Sequence, residues 1–345
     1  APTMRDMSRT KRDVGDAVPY GRDAVIPRRA EPMCPAAIRA APAVGRCGHR
    51  PLRNRTGFVQ RGTSGTPSPT NWQKKEGCSL RTLQDKRLFL LDMDGTLYLD
   101  DRLFDGVKEF LARIRERGGR YLFLTNNSSR GVESYMEKLG GMGIRTERRD
   151  YLTSVDAAID CLRRRYPGKR CYVQGTRSFY DQLAAAGIPV TCDREGGVDI
   201  LLSGFDRELT FQKLEDACIL LERGAVWLAT NPDWVCPTWY GSVPDCGSVC
   251  EMLTRATGRR PEFLGKPRPA MVQLALAETG FPPEQAVLIG DRLYTDIACA
   301  VNAGIDSIFV LSGEGKREDI ERDSIHPTWV YDDIGAVLRA WEETP

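Results

Sequence analysis

Two aspartates directly after a short apolar run are the residues of this sequence best suited to chemistry. Residues 88–91 are four apolar side chains, as in a strand buried on both faces, and Asp92 and Asp94 follow with one residue between them. Side chains alternate along a strand, so both aspartates can point the same way where the backbone leaves the sheet, and Gly95 allows a tight exit. Two carboxylates held so close repel, and we therefore expect a cation or a shared proton between them.

Further polar residues lie at the ends of other predicted strands or at a helix start. They are the run Thr125-Asn126-Asn127, Lys266, and the pair Asp291 and Asp296. Parallel sheets bind their ligands beyond the carboxyl ends of the strands. We therefore expect these residues to share one pocket with Asp92 and Asp94.

The residue types in this set favour one kind of reaction. Four carboxylates around one pocket disfavour mutual ionisation unless a hard cation is present, and oxygen ligands suit Mg²⁺. A hydroxyl from Thr125 and an ammonium from Lys266 would complete a clamp for a phosphoryl group. One carboxylate can attack phosphorus to give an aspartyl-phosphate, and a second can serve as acid and base. The set predicts Mg²⁺-dependent phosphoryl transfer.

Each feature taken alone has a structural alternative. The Asp92–Asp94 motif could be a turn or a calcium-type loop, and Thr125 a strand-end cap. Lys266 could be a solvated surface lysine. The segment from Asp291 to Asp296 could cap a helix. Their joint occurrence, in this order and each at the end of an element, favours the catalytic interpretation.

Composition excludes some classes of function. The 345 residues contain 49 basic and 47 acidic side chains, with net +10 in residues 1–86 and net −8 in the remainder. The two histidines, His49 and His326, lie outside the motifs, so a histidine-based mechanism is not favoured. Eleven scattered cysteines without a zinc-site spacing are expected to be free thiols. No apolar run has the length of a membrane span, and we expect a cytoplasmic protein without a membrane partner.

Strands and helices alternate from Lys86 onward, which predicts an α/β fold with a parallel sheet covered on both faces. Residues 1–85 lack periodicity and are rich in Arg, Pro, Gly and Ala, so we expect a disordered basic extension. Binding of nucleic acid through that extension is an alternative that we do not favour. A second alternating series in residues 166–238 predicts a smaller α/β unit, which leaves residues 86–165 and 239–345 to the main one.

The order of the motifs is similar to that of a known family. From about Lys86 to Trp341 the chain contains Leu-Asp-Met-Asp-Gly-Thr, Leu-Thr-Asn-Asn, Gly-Lys-Pro and Gly-Asp-Arg-Leu-Tyr-Thr-Asp. This combination resembles the haloacid dehalogenase (HAD) superfamily of phosphatases. Within it, the chain is similar to the subgroup with a large α/β cap, the NagD-like and p-nitrophenyl phosphatase-like enzymes. The resemblance implies a Rossmann-like core with residues 166–238 as an inserted cap domain.

The resemblance also implies roles for the residues. Asp92 would be the nucleophile and Asp94 the general acid and base, and Thr125 and Lys266 would hold the phosphoryl group. Asn126 and Asn127 are grouped with them as phosphate- or substrate-binding residues. Mg²⁺ would be bound by the Asp92 side chain, the Asp94 backbone carbonyl and Asp291, with Asp296 supporting the metal site.

The chain departs from the family pattern near the cap. Many relatives have Pro-Gly where this sequence has Pro244-Asp245, which affects the local loop or the substrate that it admits. The segment 231–234, together with Trp239 and Tyr240, occupies the place of substrate contacts. Packing of this aromatic cluster between cap and core is an equal alternative.

We therefore expect a Mg²⁺-dependent phosphatase that acts on small phosphorylated metabolites through an aspartyl-phosphate. A sugar phosphate, phosphoglycolate or a nucleotide is the expected substrate, by analogy with the family alone. The alternatives are a low-turnover binding or regulatory protein on the same fold and a phosphomutase or phosphotransferase. Dehalogenases lack the second aspartate, so Asp94 disfavours their chemistry. The sequence leaves the oligomeric state open, including a homo-oligomer.

Overall fold

The computed structural model describes residues 82–238 and 241–343 of the chain. In chain order, the strands are β1 Leu88–Leu91, β2 Tyr98–Leu99, β3 Arg102–Leu103, β4 Arg120–Thr125, β5 Tyr151–Thr153, β6 Cys171–Gln174, β7 Val190–Thr191, β8 Ile200–Ser203, β9 Val226–Ala229, β10 Val235–Thr238, β11 Gly241–Pro244, β12 Glu262–Phe263, β13 Ala286–Gly290, β14 Asp306–Val310 and β15 Trp329–Tyr331. The α-helices are α1 Val107–Glu116, α2 Val132–Gly141, α3 Ser154–Arg165, α4 Arg177–Ala185, α5 Phe211–Glu222, α6 Cys246–Thr257, α7 Ala270–Thr279, α8 Ala298–Ala303, α9 Arg317–Arg322 and α10 Ile334–Glu342.

The larger sheet has six strands in the order β15-β14-β13-β1-β4-β5, and all neighbours in it are parallel. Strand β1 lies inside the sheet, with Leu91 opposite Ile289 of β13 and Phe123 of β4. Because the three strands run in the same direction, the loops that follow them open at the same edge of the sheet. The predicted α/β class with a parallel core sheet is confirmed.

The apolar run of β1 is explained by burial on both of its faces. Phe89 and Leu91 pack in a cluster with residues of α1 and α10, whereas Leu88 and Leu90 pack on the other side with residues of α7. A strand in such a position has no face on which a polar residue could reach water. The first polar side chain after β1 is therefore Asp92, where the chain leaves the sheet.

The smaller sheet has five parallel strands in the order β12-β9-β8-β6-β7. It lies between Asn127 and Lys266 in the sequence, as expected for an insertion. The boundary predicted at residue 238 is too early, because β12 joins this sheet by pairing with β9. Helix α6 also packs with α5 in a cluster of this sheet. We call residues 166–264 the cap.

The other predicted boundary also shifts. Leu83–Asp85 form a turn of 3₁₀-helix, and Leu83 is buried in the same cluster as α10, so order begins before Lys86. The remainder of the predicted extension, His49 included, lies outside the described residues. Within the described ranges the cysteines are free thiols, as expected. No helix in those ranges is long and apolar enough to cross a membrane.

We expect Trp341→Ala to lower the free energy of unfolding by about 3–5 kcal/mol, because it leaves a cavity in the core. The indole is 1% exposed and its ring centroid lies 4.8 Å from that of Phe89 and 5.9 Å from that of Phe110. Denaturant unfolding measures the loss. Val301→Ala on the exposed surface of α8 is the control, with an expected change within about 0.5 kcal/mol. Equal losses in the two variants would contradict the packing.

Candidate active site

Three carboxylates meet at the edge of the core sheet. Asp92 follows β1, Asp291 follows β13, and Asp296 lies in a π-helical turn, Leu293–Ile297. One oxygen of each carboxylate lies within 4.8 Å of the others. Because β1 and β13 are parallel neighbours, their ends bring the first two together without any long loop. Such an all-oxygen cluster could hold a divalent cation.

The backbone of Gly95 is what allows Asp291 to approach. Gly95 has φ +84°, and a Cβ atom at this position would lie 2.3 Å from Oδ2 of Asp291. Asp291 is itself fixed, because its Oδ2 accepts a hydrogen bond from the backbone N–H of Glu314 at 2.7 Å. A side chain at residue 95 would therefore push the two aspartate-bearing loops apart.

Lys266 is buried in contact with this cluster, so the alternative of a solvated surface lysine is wrong. It is 2% exposed, and its Nζ lies 2.5 Å from Oδ1 of Asp92 and 2.6 Å from Oδ1 of Asp296. The same ammonium donates to the carbonyl of Leu124 at 3.2 Å. Burial disfavours its charge, but Asp296 and Asp92 outweigh that effect and raise the pKa of Lys266. The side chain stays cationic.

Electrostatics at the cluster favours the presence of a cation. Burial raises the pKa of Asp92 well above its usual range, and Asp296 and Asp291 raise it further, while Lys266 opposes the shift. Burial and the charge of Asp296 raise the pKa of Asp291 to about 6. The ammonium of Lys266 alone does not balance the charge of three carboxylates. A divalent ion would favour the ionised forms of Asp92 and Asp291.

Asp94 lies beside this cluster rather than in it. Its side chain is 54% exposed and lines the cavity above Asp92 and Lys266, with its Oδ1 3.6 Å from Nζ of Lys138. That ammonium also lies 4.0 Å from the centroid of the Tyr98 ring. The carboxylate can reach both water and a bound molecule. Metal binding by the Asp94 backbone carbonyl stays a prediction.

Two residues at the end of β4, Thr125 and Asn126, make different kinds of contact. Thr125 is buried at the strand end, lines the cavity, and its Oγ1 accepts a hydrogen bond from the N–H of Asn127 at 3.1 Å. Asn126 accepts from the backbone N–H of Lys266 at 2.9 Å and donates to the backbone carbonyl of Lys266 at 3.0 Å. Its carboxamide is thus committed to positioning Lys266. Because the side chain is engaged, phosphate binding by Asn126 would use its main chain, and this stays a prediction.

The side-chain oxygen of Asn127 is also engaged. It accepts hydrogen bonds from the N–H of Ser129 at 2.9 Å and from the Ser129 hydroxyl at 2.7 Å. These contacts close the loop that follows β4. Asn127 nevertheless lines the cavity, so its predicted contact with substrate stays open.

A cavity of about 310 Å³ lies between the core and the cap. Its floor contains Asp92, Asp296 and Lys266, and the cap contributes Phe205, Arg207, Asp233 and Asp245. Strand β10, which pairs antiparallel with β11, forms part of the wall and was not predicted from the sequence. The exposed Trp234 lies at its base, whereas Trp239 and Tyr240 of the predicted aromatic cluster lie outside the described residues.

Sequence reasoning missed several residues of this cavity. Arg292 lies between Asp291 and Asp296, but no role was predicted for it. Burial disfavours the charge of its guanidinium, but the charges of Asp92 and Glu314 outweigh that effect and raise its pKa. Tyr135 lines the cavity with a buried hydroxyl. Asp233 belongs to the predicted segment 231–234, but its hydrogen bond with Asn126, across 107 residues of sequence, was not predicted. No local signal could have indicated that contact.

Comparison with known proteins agrees with this fold. Residues 89–189 match the model of the haloacid dehalogenase-like hydrolases, and residues 263–337 match a second model, HAD-hydrolase-like. The acid sugar phosphatase of Staphylococcus aureus is 31% identical over 261 residues, which are 76% of this chain and 100% of that protein.

Solved structures give the same result. The 4-nitrophenylphosphatase of Thermotoga maritima has 40% identity and a TM-score of 0.72, and the match covers 75% of this chain and 99% of that one. The glycerol phosphate phosphatase of Mycobacterium tuberculosis, solved in complex with magnesium, has 30% identity and a TM-score of 0.70. That match covers 75% of this chain and 78% of the other.

A parallel α/β core with clustered carboxylates at its strand ends and an inserted cap defines a hydrolase of the phosphoryl-transfer type. The chain belongs to the haloacid dehalogenase-like hydrolase family. Within that family it is a phosphatase of the NagD-like and p-nitrophenyl phosphatase-like subgroup, as the motifs predicted.

We expect Asn126→Ala to lower kcat for p-nitrophenyl phosphate by about ten- to a hundredfold, because Lys266 loses the side chain that fixes its backbone. Asn302→Ala is the matched control. This asparagine donates to the carbonyl of the adjacent Pro267 at 2.9 Å, but from an exposed position on α8. Steady-state kinetics and melting temperatures compare the two. Similar losses of rate in both variants would contradict a positioning role specific to Asn126.

Proposed function

We propose that this phosphatase hydrolyses phosphate monoesters of small metabolites with the aid of Mg²⁺ and through an aspartyl-phosphate intermediate. The observation that carries the proposal is the meeting of Asp92, Asp291 and Asp296 within 4.8 Å, with Lys266 in contact with two of them. The arrangement combines a nucleophile, a cation site and a fixed positive charge at one edge of the sheet. Phosphoryl transfer needs these three parts.

Asp92 is proposed as the nucleophile. An oxygen of its carboxylate attacks phosphorus, and the bond from phosphorus to the leaving oxygen breaks. Asp94 gives its proton to that oxygen, so the leaving group departs as an alcohol. The position of Asp94 on the cavity wall, two residues after Asp92, supports this role.

The same residues complete the second half of the reaction. Asp94, now a carboxylate, takes a proton from a water molecule as the water attacks phosphorus. The bond between phosphorus and the Asp92 oxygen breaks, inorganic phosphate is released, and the carboxylate of Asp92 is restored. The half-exposed side chain of Asp94 supports this exchange, because the acid and base must meet both the ester and water.

Thr125 and Lys266 are proposed to hold the phosphoryl oxygens during both steps. Negative charge spreads over these oxygens in the transition state, and a fixed hydroxyl and a fixed ammonium stabilise it without reorganisation. Lys266 is suited to this because its backbone is bound by Asn126 on both sides. Thr125 is suited because it ends β4 next to the nucleophile strand.

The donor set fits Mg²⁺. The ligands proposed are the side chains of Asp92 and Asp291 and the backbone carbonyl of Asp94, with Asp296 in support. Bound there, Mg²⁺ would neutralise the carboxylates and the phosphoryl oxygens. The magnesium complex of the related glycerol phosphate phosphatase supports this choice of ion.

The size of the cavity supports a small substrate. Its volume of about 310 Å³ lies at the lower end of the range of small-molecule sites, with the cap as a roof. A sugar phosphate, phosphoglycolate or a nucleotide are the candidates, and the names of the related sugar and glycerol phosphatases support the first kind. A phosphorylated side chain on a folded protein would have to pass beneath the cap.

We expect removal of divalent ions to lower the hydrolysis of p-nitrophenyl phosphate by about a hundredfold or more, and Mg²⁺ to restore it. The rate is measured after dialysis against EDTA and again after titration with Mg²⁺. Circular dichroism of the dialysed protein is the control for folding. Equal rates with and without the metal would contradict the proposal, and equal absence of turnover would favour a binding role.

We expect Asp92→Asn and Asp94→Asn to fail at different steps, each with a loss of kcat of about four orders of magnitude. With a phosphate-labelled ester, Asp94→Asn should accumulate labelled protein slowly, because the water lacks its base. Asp92→Asn should take up no label. The exposed Asp101→Asn is the control and should turn over normally. Label on Asp92→Asn would reassign the nucleophile, and normal turnover by Asp94→Asn would exclude its acid and base role.

A further inference from the structure

A residue in the wall of the active-site cavity has a carboxylate oxygen without a hydrogen-bond partner among the described residues. Asp233 is 3% exposed and lines the cavity from the cap side. Its Oδ2 accepts hydrogen bonds from Nδ2 of Asn126 at 3.0 Å and from Nδ2 of Asn231 at 2.8 Å. Its Oδ1 is buried and accepts none. An unpaired carboxylate oxygen is costly to bury, so a ligand that supplies a donor would gain from it.

A second buried carboxylate lies beside the first. Asp245 is 5% exposed and lines the same cavity, and its Oδ1 accepts from Asn231 Nδ2 at 3.1 Å. The same Nδ2 thus bonds both carboxylates. Burial, together with the nearby charge of Asp233, raises the pKa of Asp245 to about 6 against the effect of the Cys246 N–H. Two acids held so close are expected to attract a cation.

The described part of the chain offers neither carboxylate an ion-pair partner. Within the described ranges, neither Asp233 nor Asp245 forms an ion pair. Arg292 carries the nearby charge felt by Asp245, but its Nε donates to Glu314 at 2.8 Å. Asp245 has partial compensation, because it caps the N-terminus of α6. Asp233 has only the two amide groups.

We propose that Asp233, with Asp245 beside it, forms a subsite that binds an ammonium group on the leaving group of the substrate. The preferred substrates are then phosphate monoesters of amino alcohols or amino sugars. The inference rests on the proposed function, because it uses the same cavity. It adds a chemical class of leaving group to that function.

The chemistry ranks the ligands. An ammonium gives Asp233 both a hydrogen bond and an opposite charge, and a charge-assisted bond is about twice as strong as a neutral one. A hydroxyl supplies the bond without the charge. A methyl group leaves the oxygen unpaired and removes it from water. Affinity is therefore ordered from ammonium through hydroxyl to methyl.

The subsite is held rigid before a ligand arrives. The backbone N–H of Gly247 donates to the carbonyl of Asp233 at 2.9 Å, and that of Asp245 donates to the carbonyl of Trp234 at 3.0 Å. A Cβ atom on Gly247 would lie 2.1 Å from the Pro232 carbonyl oxygen, so only glycine permits this contact. Little conformational entropy is left to lose on binding.

Asp233 also joins the cap to Asn126, and the test must separate this structural bond from recognition. The bond to Asn126 uses Oδ2 alone. In Asp233→Asn, the amide oxygen can replace Oδ2 and keep both asparagine contacts, while the amide NH₂ replaces Oδ1. The variant thus changes the free acceptor into a donor. A merely structural defect would weaken all ligands alike.

The experiment compares two non-hydrolysable probes, aminoethylphosphonate and propylphosphonate, which differ by an ammonium and a methyl group. Their dissociation constants are measured by calorimetry on the full chain with Mg²⁺. We expect the amine to bind at least about tenfold more tightly to the original protein. Asp233→Asn should reduce this ratio to about one, and Asp245→Asn should reduce it in part. The exposed Asp181→Asn on α4, with its surface ion pair, should leave the ratio unchanged.

Equal binding of the two probes by the original protein would overturn the subsite. A ratio of dissociation constants that is unchanged in both Asp233→Asn and Asp245→Asn would overturn it as well. If Asp233→Asn does not fold, the result for Asp245→Asn decides alone. The readout is binding, so it is independent of turnover. The proposed function is tested separately, by measuring whether the hydrolysis of p-nitrophenyl phosphate depends on Mg²⁺.

Discussion

The buried ammonium of Lys266 is the constraint around which the core is arranged. A cation removed from water needs opposite charges at contact distance, and Asp92 and Asp296 lie 2.5 and 2.6 Å from it. To meet there, β1 and β13 must be neighbours, and the π-helical turn must bring Asp296 back toward the sheet. The ammonium of Lys266 alone does not balance the three carboxylates, so the cluster favours the binding of a divalent ion. The floor of the cavity is therefore both a product of the fold and a prepared site for a cation.

The parts of the site that lie at strand ends could be predicted from the sequence. The strands β1, β4 and β13 contain runs of apolar residues buried on both faces, and the polar residue that follows each run marks the edge of the sheet. Thr125, Asp92 and Asp291 were found by this rule. Because these strands are parallel neighbours, their ends bring the three side chains together at one edge of the sheet.

Other features depended on tertiary contacts that leave no local pattern. Strand β12 has only two residues, one of them Glu262, so its place in the cap sheet was invisible and the predicted boundary at residue 238 fell too early. The commitment of Asn126 to the Lys266 backbone joins residues 140 positions apart. Whether a lysine before a proline is solvated or buried is decided by such contacts, which a window along the chain does not contain.

Lys266 stands three residues beyond β12, the edge strand of the cap sheet. The chain between them is tied to the cap, because the backbone N–H of Leu264 donates to the carbonyl of Ala229 at 2.9 Å and that of Gly265 to Thr230 at 2.7 Å. The ammonium in the core is thus mounted on the end of a cap strand. A rigid rotation of the cap would therefore also move the ammonium of Lys266. Opening of the cavity and alignment of the catalytic residues would then be coupled.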